Sequence, residues 1–74
     1  MTRHETVAAL PDRVRATFEA MSENGISETV GAICARTGYH EAETRQHLAT
    51  LAAKGLIHCT GNWCHRTEQR GRRA

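Results

Sequence analysis

Two histidines and two cysteines stand symmetrically about a turn in His58-Cys59-Thr60-Gly61-Asn62-Trp63-Cys64-His65. Imidazole and thiolate are the ligand types that suit zinc, and paired thiols can also close into a disulfide. Gly61-Asn62 is a two-residue turn signal with β-favouring neighbours, which predicts a hairpin. Centring the hairpin there pairs Thr60 with Trp63, Cys59 with Cys64 and His58 with His65. Successive strand residues point to opposite faces, so the cysteines share one face and the histidines the other. The four side chains therefore cannot converge on one ion. Their spacing also differs from that of a zinc finger. No resident metal or other cofactor is expected; the residues that would hold an ion, with a third ligand, are Cys59 and Cys64. Their position in the hairpin is non-hydrogen-bonded, with Cα atoms about 4.5 Å apart, at the short end of the disulfide range. Two thiols, able to close under oxidation, are the expected state.

Catalysis is not expected. Seventy-four residues make one domain near the lower limit for an unaided core, which leaves little room for a pocket. There is no glycine-rich phosphate loop and no paired-carboxylate motif. Aromatic residues make up 4% of the chain, a single Phe18, Tyr39 and Trp63, so Ala, Val, Ile and Leu must build a thin core. Chains of this kind often gain stability from a dimer, a disulfide or a metal. No apolar run approaches the roughly 18–20 residues of a membrane span, and the N-terminus lacks the apolar stretch of a signal peptide. A cytoplasmic location is the default. Net charge is only +2, but Arg66, Arg70, Arg72 and Arg73 crowd the C-terminus against one acid, Glu68. Such a basic end suits nucleic acid or an acidic surface.

Three helices must position these groups. In the first, "PDRVRATFEAMSENG", Pro11 suits a first helical position and Gly25 a left-handed cap. Val14, Phe18 and Met21 recur at helical spacing. The preceding "ETVAAL" reads as either a short extra turn or a dimer arm. The second, "SETVGAICARTG", takes Ser27 as its N-cap, with Val30, Ile33 and Cys34 facing inward. The third, "HEAETRQHLATLAAKG", follows a short glycine-containing turn. Leu48, Leu51 and Ala52, with Thr44 a turn earlier, line its buried face. Glu41, Ala42, Arg45, Gln46 and Ala49 fall mostly on the opposite side. Tyr39 is placed between the second and third helices. The expected organisation is an arm over 1–10, a folded domain over 11–66 and a basic, disordered tail over 67–74. The fold class is mostly α with a small β-hairpin.

"ETVGAICARTGYHEAETRQHLATLAAKGLI" resembles the helix-turn-helix of small transcription regulators, notably the ArsR-like and MarR-like families. The likeness rests on the Thr-Val-x-x-Ile-(small)-x-x-Thr-Gly of the second helix and the Gln-His-Leu-Ala-x-Leu-x-x-x-Gly-Leu-Ile of the third. In length and element order the chain is also similar to small fimbrial-operon regulators of the PapI/FaeA type. The resemblance implies a three-helix winged helix-turn-helix that binds double-stranded DNA as a homodimer, with the third helix (about 40–54) in the major groove. His40, Glu41, Ala42, Arg45 and Gln46 then become the groove-facing set. Arginine reads guanine, glutamine reads adenine and a small alanine meets a thymine methyl. Glu41 and Glu43 count against it, since acids beside phosphates are repulsive. The hairpin tip carries no basic side chain, unlike the longer arginine-bearing wings of ArsR-type proteins. Lys54 and Arg66 are the nearest cations and take the phosphates. The alternative, from another class, is a winged-helix adaptor that docks its mixed-charge third helix on a protein.

Overall fold

The computed structural model describes residues 3–23 and 25–67. Among the described residues the chain is a small mixed α/β domain of four helices and a three-stranded antiparallel sheet. The order is α1 (Arg3–Ala8), α2 (Asp12–Glu19), β1 (Glu28–Thr29), α3 (Val30–Thr37), α4 (Glu41–Ala53), β2 (Ile57–Thr60) and β3 (Trp63–Arg66). The sheet order is β1-β3-β2.

Part of the expected arm, including the first residues of "ETVAAL", is helical. α1 packs Val7 against the core, and Leu10 just beyond it is buried. Helix α2 buries Val14, Thr17 and Phe18 at the expected spacing. Pro11 sits one position outside the helix, as its N-cap. The helix also ends at Glu19, well before Gly25, and the reason lies in distant side chains. Arg36 donates Nη1–H to the Ala20 carbonyl at 2.9 Å, and Glu28 accepts the Ser22 backbone N–H at 3.0 Å. Side chains from two other elements satisfy backbone groups that a further helical turn would have used.

Ser27 is not the cap of α3. Glu28 and Thr29 pair with Cys64 and Trp63 of β3, so the helix starts only where that pairing ends. Thr29 caps it, its hydroxyl accepting Ala32 N–H at 3.1 Å. Gly38 closes the helix in the left-handed region at φ 78°, a conformation glycine adopts without steric cost. Val30 and Ile33 are buried as expected, and Cys34 is half-buried against the core with a free thiol.

Helix α4 buries Thr44, His47, Leu48 and Leu51, one stripe at i, i+3, i+4 and i+7. Ala52, expected on that face, is exposed, because it lies about 100° round the axis from Leu51. The hairpin has the anticipated register: Thr60 opposite Trp63, Cys59 opposite Cys64 and His58 opposite His65. The cysteines face inward, half-buried and buried, while His58 is exposed. Thr67, expected to begin the tail, is tied to the domain, its N–H bonded to the Leu56 carbonyl and its hydroxyl to that of Gly55. The arginines at 70, 72 and 73 lie outside the described residues.

The Glu28 carboxylate joins three elements and sets an acid sensitivity. Burial pushes its pKa up. Hydrogen bonds from the Ser22 backbone and hydroxyl and from Arg36, with the Arg36 charge, outweigh that and hold it below the ordinary value. A carboxylate whose folded pKa is depressed contributes stability above its unfolded pKa, about 4.3. That contribution is lost as pH falls through the folded value. Urea titrations should therefore find wild type more stable than Glu28→Gln at pH 7, with the gap narrowing below pH about 4. A gap that widens with acid would reverse the assignment.

Candidate functional site

The exposed side of α4 carries the expected recognition residues. His40, at the N-cap, and Glu41, Ala42, Arg45, Gln46 and Ala49 are all exposed. Burial of the 44/47/48/51 stripe forces this orientation, since a helix with a fixed apolar side must turn the other to solvent.

Arg45 is the centre of the face. Its Nε–H donates to Glu41 Oε2 at 2.9 Å and its Nη2–H to Asn62 Oδ1 at 2.7 Å. Asn62 is at the tip of the hairpin, and its carbonyl accepts the Val30 N–H at 3.0 Å. The tip is thus drawn back onto α3 and α4 instead of projecting beyond them. Between α4 and the hairpin lies a shallow apolar cleft of about 180 Å³. Leu48, Ala49 and Ala52 form one wall, the Cys59–Cys64 pair the other, and Arg45 stands at the rim.

That cysteine pair is closed into a disulfide with Cα atoms 4.1 Å apart, where two thiols were expected. The register places the two cysteines directly opposite each other on one face of the hairpin, which brings their side chains together. Neither cysteine is then available to hold a metal.

The two expected phosphate ligands part company. Lys54 is exposed at the end of α4. Nine residues from Arg45, it lies roughly 14 Å along the axis and half a turn round it, so the two do not share a face. Arg66 turns into the domain. Its Nη2–H donates to the Phe18 carbonyl at 2.8 Å, and its guanidinium lies 4.1 Å from the centre of the Phe18 ring. It is a packing residue between β3 and α2.

Glu43, the second acid counted against nucleic acid, is engaged elsewhere. Arg13 of α2 grips it with two hydrogen bonds, the longer 2.8 Å, and also lies over the Tyr39 ring. The Arg13 bonds hold the Glu43 carboxyl below the ordinary carboxylate range. His47, edge-on to Tyr39, shares a 2.8 Å hydrogen bond with the Thr17 hydroxyl. Tyr39 therefore packs toward α2 and α4, where a place between α3 and α4 was expected. The sequence offered one sign of this cluster, the i, i+4 spacing of Glu43 and His47. The contacts to Arg13 and Thr17 had none. Compared with known proteins, the chain matches no family model and no curated relative.

Proposed function

We propose that the chain is a winged helix-turn-helix protein that binds double-stranded DNA as a transcriptional regulator, with α4 in the major groove. The observation that carries this reading is the exposed strip of His40, Ala42, Arg45 and Gln46 on one side of α4, flanked by a hairpin whose tip is bonded to that same strip. The element order and the sheet order β1-β3-β2 agree with a helix-turn-helix followed by a wing. Arg45 is held ready by exposed partners. Both partners are exposed, so Arg45 can exchange them for a base edge, and a bidentate contact to guanine supplies about 1–3 kcal/mol of discrimination against the wrong base. Lys54, half a turn round α4 from Arg45, lies off this strip and outside the proposed contact. A homodimer would present two copies of α4 to half-sites about one helical turn apart.

A second reading has its own observation. Trp63 is 55% exposed on the outer face of the hairpin, and aromatic side chains are enriched at protein interfaces. In that case α4 and the hairpin dock on a protein.

Polarisation titrations against duplex DNA at two salt concentrations separate the two. Binding through phosphates should weaken steeply as salt rises, with a logarithmic slope of about −0.9 per phosphate contact. Arg45→Ala should lose about 1–3 kcal/mol of specific affinity without loss of stability, while Lys54→Ala, on the other side of α4, should bind as wild type does. Wild-type DNA binding by Arg45→Ala, with loss of a protein partner, would transfer the function to the second reading.

A further inference from the structure

We propose that His58 and His65 form a binding site for a late first-row divalent cation such as zinc(II), on the outer face of the hairpin. The two residues are direct cross-strand partners. Their ring centres are 5.6 Å apart, with the planes tilted by 55°. A zinc–nitrogen bond is about 2.0–2.1 Å, so each ring centre stands about 3.2 Å from a shared ion and tetrahedral bonding separates the two centres by about 5 Å. The observed ring-centre spacing is within about 1 Å of that separation.

Two further features favour the pair as ligands. The Thr60 hydroxyl, next on the same face, lies 3.4 Å from His58 Nε2. Where Nε2–H donates to that hydroxyl, the ring is oriented through its second nitrogen as in metal-binding histidines, and Nδ1 is the nitrogen left for the ion. The Cys59–Cys64 bridge, one pair nearer the tip and on the opposite face, holds the strands in register beneath the histidines. A preorganised pair loses less freedom on binding. Among the described residues no third His, Cys, Asp or Glu joins them, so water completes the shell and the site is open and exchangeable. The site faces away from the α4 cleft and stands independently of the DNA-binding reading.

The test is zinc(II) titration of the full-length oxidised protein, in which Cys59 and Cys64 are unavailable, followed by calorimetry and by histidine ring NMR. Saturable binding is expected, with the ring resonances of His58 and His65 moving together while those of His40 and His47 stay in place. His58 is exposed and His65 half-buried, so circular dichroism checks that each variant keeps the wild-type fold. His58→Ala and His65→Ala should each weaken binding at least tenfold, and His40→Ala should leave it unchanged. Absence of saturable binding, or wild-type affinity in either hairpin variant, would overturn the site.

Discussion

Leu51→Ala is expected to leave the domain largely unfolded at 37 °C. Leu51 is fully buried in the stripe of α4. Removing a buried leucine typically costs about 2.7–5 kcal/mol, part in lost transfer energy and part in the cavity left behind. Below about 70–80 residues a single core rarely supplies more than about 3–5 kcal/mol, so this one truncation is comparable to the whole margin. Ala52→Ser, one residue on but exposed, should stay within about 0.5 kcal/mol of wild type. Thermal melts by circular dichroism compare the two directly. If Leu51→Ala melts where wild type does, α4 does not bury the face described.

Arg66→Ala should be the next most damaging change, and its damage should be to stability. A hydrogen bond from a charged donor contributes about 1.5–3 kcal/mol, and a guanidinium over an aromatic face about 0.5–1 kcal/mol. Arg66 makes both with Phe18, so a loss of about 2–4 kcal/mol is expected. Lysine should not restore it, since a point ammonium does not reproduce the planar stacked fork. On the proposed DNA-binding reading, the salt dependence of duplex binding, measured where the variant is still folded, should match wild type. An Arg66→Ala protein that melts normally but has a shallower salt slope would return Arg66 to the phosphates and remove its packing role.

Arg66 also shows how far a sequence can be followed. The register Ile57 opposite Arg66 was implicit once the turn was centred on Gly61-Asn62, and Ile57 is a core residue. By the same alternation Arg66 had to face inward, yet its charge argued for solvent. What the pattern could not supply was its partner, the Phe18 carbonyl 48 positions earlier.

By itself, the sequence determined whatever depends on neighbours within about one helical turn or one two-residue turn. The α4 stripe through Leu48 and Leu51, its exposed opposite face, the Gly38 cap and the pairing of Cys59 with Cys64 all belong here. Each follows from a fixed period of 3.6 or 2 residues, or from the backbone freedom of one glycine. Tertiary structure alone decided the rest. Strand β1 is two residues long, too short to show a period, and exists because Glu28 and Thr29 meet β3 at Cys64 and Trp63. The end of α2, the true cap of α3, the capture of Glu43 by Arg13 and the burial of Arg66 all follow from long-range partners. A hydrogen-bond donor carries no mark in the sequence of which distant acceptor will face it. Packing of the apolar stripes chooses that partner, and a polar side chain then adopts whatever bond satisfies it where the core has left it.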